Sequence, residues 1–192
     1  MIVLGYTYAS PGADMHREAA VLRNRMLFSL CGIGSPQITR TSSGKPYLAD
    51  MPEIFFSVSH TDLLAVCVLS FPGRNDAGEY EVLFDTESAP EVGTDAELIR
   101  PAAQASRLRR LAERFFPADR AQQLTDMPDC EIPREFARIW TLCESYVKMT
   151  GEGFSSGFSA LDFRGIVSPC RTLRFGEKEF IIRAAWRKED TQ

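Results

Sequence analysis

Apolar and polar positions along this chain fall into two periods, one of strands and one of helices. Residues 2–8 are an apolar run ended by Ser10-Pro11-Gly12, which predicts a strand. From 14 to 30 the apolar residues Ala19, Leu22, Met26, Leu27 and Leu30 recur at helical spacing, and Cys31-Gly32 closes the segment. Its other side is basic, with His16, Arg17, Arg23 and Arg25. A short strand is expected at 37–40, then a Gly-Pro turn that presents Lys45 on a loop. In 54–61, Phe56 and Val58 alternate with Ser57 and Ser59, so this strand has one small, polar face. His60 stands at its end, Thr61-Asp62 reads as a turn, and 63–69 forms a second strand, completing a hairpin.

The stretch 71–90 is turn-rich and is expected to join two halves, with a short extra strand at 80–84. Residues 92–97 read as a strand. Helices follow at 102–116, with apolar Leu108, Leu111, Ala112, Phe115 and Phe116, and at 118–124. After a connector at 127–133 comes the longest uninterrupted helical pattern, 134–150, ended by Gly151-Glu152-Gly153. Loop residues 154–157, closing strands at 158–163, 172–175 and 179–186, and a frayed tail from 187 complete the pattern.

The helix at 134–150 carries chemistry on one face. Ile139, Cys143, Tyr146 and Val147 make its apolar stripe, whereas Trp140, Glu144 and Lys148 fall at i, i+4 and i+8. On a plain surface helix such a Glu–Lys pair is worth only about 0.2–0.5 kcal/mol. Within the strand at 92–97, Asp95 and Glu97 point to the same face and repel unless a cation lies between them. Either this is an exposed strand edge or the carboxylates hold a hard dication, Mg²⁺ above all. Ser59, His60 and Thr61 cluster donors suited to phosphate oxygens, although a histidine at a strand end is as often structural.

Composition narrows the class. Lys plus Arg total 22 against 26 Asp plus Glu, and the net charge of -4 argues against general nucleic-acid binding. At 192 residues with 44% apolar content, the chain can bury a core of its own. No apolar run is long enough to span a bilayer. Met1-Ile2-Val3-Leu4 has no basic n-region, so no signal peptide is expected. Five widely spaced cysteines without a Cys-x-x-Cys predict reduced thiols in a cytoplasmic protein.

In order, the chain presents Gly44-Lys45-Pro46, Phe56-Ser57-Val58-Ser59-His60-Thr61, Gly93-Thr94-Asp95-Ala96-Glu97 and Trp140-Thr141-Leu142-Cys143-Glu144-Ser145-Tyr146-Val147-Lys148. This series resembles the 4′-phosphopantetheinyl transferase superfamily, of the two-half type that activates peptide synthetases. The resemblance runs from about Met15 to about Phe163. It implies an α+β fold of two pseudo-duplicated α/β halves, residues 1–88 and 89–192, each a helix packed on an antiparallel sheet, with the active site between them. It implies transfer of 4′-phosphopantetheine from coenzyme A to a serine of an acyl or peptidyl carrier protein by a monomer, with Mg²⁺ bound. Asp95, Glu97 and Glu144 would be the metal ligands. Arg17, Lys45, Ser59 and His60 would contact the nucleotide and its phosphates. Glu144 would serve as base, and Lys148 would meet the pyrophosphate and assist the leaving 3′,5′-ADP. Basic groups on the first helix, or Arg107, Arg109, Arg110 and Arg114, would receive the acidic carrier. This chain departs from the family pattern at Cys143, where a lysine is usual, and at Thr94 and Ala96, where bulkier aliphatics are usual. A diverged relative that binds coenzyme A or a carrier without transfer is the alternative; a third possibility is an unrelated Mg²⁺-dependent phosphoryl enzyme.

Overall fold

The computed structural model describes residues 1–73, 75–153 and 157–188. Strand β1 (Ile2–Tyr8) leads into helix α1 (Met15–Cys31), followed by the small hairpin β2 (Ile38–Arg40) and β3 (Pro46–Leu48). Strands β4 (Phe55–Thr61) and β5 (Leu64–Ser70) form the expected hairpin, and β6 (Glu81–Phe84) lies in the predicted connector. Then come β7 (Val92–Leu98), a 3₁₀ turn at Ala102–Gln104, helices α2 (Ala105–Phe115), α3 (Ala118–Asp126) and α4 (Ile132–Thr150), and strands β8 (Ile166–Val167), β9 (Cys170–Phe175) and β10 (Lys178–Arg187).

Mixed helices and antiparallel sheets make this an α+β fold. One sheet has the order β4-β5-β1-β6 and is antiparallel throughout. The other runs β7-β10-β8, with β9 also paired to β10. All seven residues of β5 are buried because both faces of its sheet are covered. One face, with Val3, Cys67 and Leu69, packs under Ala19, Leu22, Met26, Leu27 and Leu30 of α1, the five positions that the helical spacing selects. The opposite face, with Ile2, Leu4, Val66 and Val68, meets Val92, Ala96, Phe180, Ile182 and Trp186 of the second sheet. Helix α4 covers the far side of that sheet, where Tyr146 and Met149 rest on Ala185. The result is four layers: helix, sheet, sheet, helix.

Helix ends follow local chemistry. Asp14 caps α1 by accepting from the backbone N–H groups of His16 and Arg17. Gly32, at φ 73°, lets Ile33 N–H reach back to the carbonyl of Leu27. Helix α4 begins two residues before its predicted start, with Pro133 in its first turn, where a missing N–H costs nothing.

The strand expected at 158–163 is not one. Phe158 is 1% exposed, but it fills the cluster of α2, α3 and α4, and its N–H donates to the carbonyl of Phe115. Apolar content there anchors a turn against helices; the sheet pairing falls later, at Ile166 and Val167. The loop expected at 154–157 and the tail from 187 lie outside the described residues, except for Gly157, Arg187 and Lys188.

Candidate functional site

The two sheets meet along β4 and β7, and serines of β4 stitch the seam. Ser57 Oγ accepts the N–H of Thr94 at 3.0 Å, and Ser59 Oγ donates to Asp95 Oδ1 at 2.8 Å. The small polar face of β4 therefore serves a neighbouring strand as well as the cavity beside it.

Gly93 brings α4 onto β7. A Cβ at that position would lie 1.9 Å from the carbonyl oxygen of Ser145 and 2.5 Å from the amide nitrogen of Met149. Only a glycine allows the helix backbone so close. That approach sets Glu144 and Lys148 over the face of β7 bearing Asp95. Lys148 Nζ donates to Asp95 Oδ1 at 2.6 Å and lies 3.0 Å from Ser59 Oγ.

A cavity of about 400 Å³ opens above this contact. Ser59, His60, Asp95, Glu97, Glu144 and Lys148 all line it, with His16 and Trp140 at its wall. Six residues singled out by pattern thus come together from β4, β7 and α4. Asp95 is 4% exposed, and its Oδ2 is buried without a hydrogen-bond partner. Burial first, then the Asp95 carboxylate, pushes Glu97 up to about 7. The same two causes, in the same order, raise Glu144. Burial, then His16 and Lys148, lowers His60. Among the described residues no three carboxylates, imidazoles or thiols are gathered tightly enough to share an ion. Asp95 Oδ1 is neutralised by Lys148. What suits a hard dication is the chemistry of the donors: an orphaned carboxylate oxygen of Asp95 stands with two carboxyl groups whose ionisation is opposed by burial and by Asp95.

Lys45 and Arg17 stand apart from this cavity. Lys45 Nζ donates to the carbonyl of Met149 in the last turn of α4 and pairs with Glu91 at 2.8 Å. It lines an adjoining cavity of about 290 Å³ with Arg40, Gly44, Phe56 and Ser57, and Lys148 lines both cavities. Arg17 is exposed in the first turn of α1 and lines neither.

His16, on the basic face of α1 where the family resemblance begins, was given no role in the site by its sequence context. Its imidazole Nδ1 lies 3.2 Å from Nε2 of His60. The available signal was Asp14, whose cap fixes the first turn of α1 with His16 two residues on.

Cys143 points elsewhere. It belongs to the cluster of α2, α3 and α4, and lines a cavity with Arg120, Arg138 and Arg183 on the opposite side of α4 from Glu144. Thr94 and Ala96 are fully packed, and the Thr94 hydroxyl donates to the carbonyl of Arg183 at 2.8 Å. Of the basic residues on α2, Arg109 is tied to Asp129 and to the carbonyl of Met127, and Arg114 lies over the Phe115 ring. Arg107 instead joins Arg100 beside a groove floored by Leu108, Leu111 and Phe136, which reaches Glu97 and Trp140.

No helix among the described residues is long and apolar enough to cross a membrane. Comparison with known proteins agrees with the motif series. The chain is 31% identical over 137 residues to the 4′-phosphopantetheinyl transferase psf-1 of Bacillus pumilus, covering 71% of this chain and 49% of that protein. It is 30% identical over 125 residues to the 4′-phosphopantetheinyl transferase HetI of Nostoc sp., covering 64% and 44%. It is 25% identical over 121 residues to the 4′-phosphopantetheinyl transferase Sfp of Bacillus subtilis, covering 63% and 44%. The chain spans about half the length of these curated relatives. The family model described as the 4′-phosphopantetheinyl transferase superfamily matches residues 91–189, just over half of the chain, and the chain belongs to that family.

Proposed function

We propose that this protein transfers the 4′-phosphopantetheine group from coenzyme A to a serine of an acyl or peptidyl carrier protein, releasing 3′,5′-ADP. The observation that carries this reading is the convergence of Asp95, Glu97, Glu144 and Lys148 with Ser59 and His60 on one cavity. Residues 1–88 would supply the nucleotide contacts and residues 89–192 the metal ligands and catalytic helix.

Asp95, Glu97 and Glu144 would hold Mg²⁺, which when bound offsets negative charge on the pyrophosphate. The protein's own part is positioning and charge. Ser59 Oγ and His60 are donors on the β4 side of the cavity, suited to phosphate oxygens. Lys148 supplies a positive charge where the leaving phosphate develops negative charge. Glu144, half-buried and raised, can accept the proton of the incoming serine hydroxyl. Lys45, in the adjoining cavity with Arg40, would contact the nucleotide end, and Arg17 would meet it from the rim of α1. The groove between Arg100 and Arg107, basic at its edge and apolar in its floor, would receive an acidic carrier next to Glu97. The protein would act as a monomer in the cytoplasm, where its five free thiols stay reduced.

The test is intact-mass measurement of apo carrier proteins incubated with the protein, coenzyme A and Mg²⁺. A carrier gaining one phosphopantetheine supports the transferase. Saturable coenzyme A binding with no mass gain across the panel supports the diverged binding protein. Absence of both mass gain and coenzyme A binding would overturn the transferase and the binding protein alike.

A further inference from the structure

The chain has two histidines, and they meet. Nε2 of His60, on β4, lies 3.2 Å from Nδ1 of His16, on α1, with the rings edge to face and 4.4 Å between centroids. Two ring nitrogens at that distance share one hydrogen: one donates and the other accepts. Both imidazoles line the cavity holding the three carboxylates and Lys148. His16 is exposed, and its backbone is fixed independently of its ring, since its N–H donates to Asp14 at 3.0 Å. The charged groups around His60 come from every neighbouring element: Lys148 from α4, Asp95 from β7, and Asp14 and His16 from α1 and its cap.

We propose that His16 is a positioning residue for His60: its Nδ1 accepts the Nε2–H of His60, which leaves Nδ1 of His60 as the nitrogen offered to a phosphate oxygen and lets that ring take up one proton as the anion binds. This rests on the reading that the cavity takes phosphates. The proton comes from solvent and forms the Nδ1–H bond of His60, and no other bond changes. An imidazolium can then donate on both sides, to His16 and to the anion, a charge-assisted arrangement that neutral His60 cannot make. In the free protein burial first, then His16 and Lys148, lower His60, and a bound phosphate opposes that shift. Affinity for the anion therefore rises as pH falls through the bound-state value and levels off below the free-state value.

Calorimetric titration of the full chain with 3′,5′-ADP, and separately with inorganic pyrophosphate, tests this in buffers of differing ionisation enthalpy. For the wild type, affinity is expected to rise about tenfold from about pH 8 to about pH 6, with up to one proton taken up. His16→Ala should lose most of that rise, binding about tenfold more weakly near pH 6 and within about threefold of wild type near pH 8. His16→Asn, whose amide oxygen can still accept at the place of Nδ1, should keep most of the wild-type affinity and proton uptake. A His16→Ala profile that superimposes on the wild type would overturn the inference while leaving the coenzyme A reading intact. Binding of pyrophosphate with His16-dependent proton uptake, but none of 3′,5′-ADP, would uphold the histidine pair and sink that reading. Binding of neither probe would overturn both.

Discussion

Lys148 reaches from helix α4 to within 2.6 Å of Asp95 Oδ1, and Asp95 is the more enclosed of the two, its side chain 6% exposed against 31%. The lysine is the cation this buried carboxylate has, and its removal leaves a charge with no counter-ion. Lys148→Met is expected to destabilise the protein by about 1–3 kcal/mol in the presence of a chelator, discounted for the exposure of the lysine. The loss should shrink in excess magnesium, because a dication at the carboxylates would neutralise the same oxygen. Thermal unfolding under the two conditions measures this, and an identical loss in both would separate magnesium from Asp95. Transfer to a carrier should fall about 10²–10³-fold in the same variant.

Glu97 sets a pH dependence of stability. Its carboxyl is raised to about 7 in the folded protein, against an ordinary value of 4.5 that the unfolded chain retains. Between those values the unfolded state binds fewer protons than the folded one, so stability falls as pH rises through that window. The cost is complete above about pH 7 and amounts to about 3 kcal/mol. Glu97→Gln removes it. The variant should be more stable than wild type near pH 8 and equal to it near pH 4 in chelator. Denaturant unfolding at the two pH values decides this, and magnesium added to the wild type near pH 6 should release protons.

Gly93 holds the site together by what it lacks. Gly93→Ala would drive a methyl into backbone atoms of Ser145 and Met149, which cannot yield unless α4 moves. A loss of about 3 kcal/mol or more is expected, with the Asp95–Lys148 contact broken. Gly5→Ala is the control. Its Cβ would lie 2.5 Å from Met26 Sδ, the far end of a flexible side chain, so a smaller loss should be seen. Equal melting temperatures for the two variants would mean that α4 is not held by that approach.

Those glycines also bear on how much was readable from residues alone. The five buried positions of α1 follow from 3.6-residue spacing because that helix lies on one sheet face, which selects one stripe. The Asp95/Glu97 and Glu144/Lys148 faces were equally visible, since period two and period four decide which side chains are neighbours. Contacts between elements were not visible. Nothing local in Lys45 says that its ammonium closes the end of α4, 104 residues later, and nothing in His16 says that it will meet a strand 44 residues on. The misplaced strand at 158–163 has the same cause. Apolar residues buried against helices or against a sheet look alike when the run is short.

Cys143 gives the last prediction. The family pattern has a lysine at this position, so this chain lacks one cation on α4 that the pattern carries. In this chain the position faces the other way, 3% exposed among Ile139, Val147 and Phe158, and its thiol is pushed up to about 12 by burial first and then by Glu144. A lysine placed there would bury its stem in that cluster and meet the rear cavity, where Arg120, Arg138 and Arg183 stand with Asp119 and Glu135. Cys143→Lys should therefore lower stability by about 1–3 kcal/mol, through overpacking and desolvation of the ammonium, without raising the transfer rate. Cys143→Ala, which only trims a small side chain, should cost about 1 kcal/mol and leave transfer unchanged. Melting temperatures and initial rates measured on both variants separate the two views. A faster Cys143→Lys enzyme would show that α4 can present this position to the front cavity, and the packing of α4 against α2 and α3 described above would then be wrong.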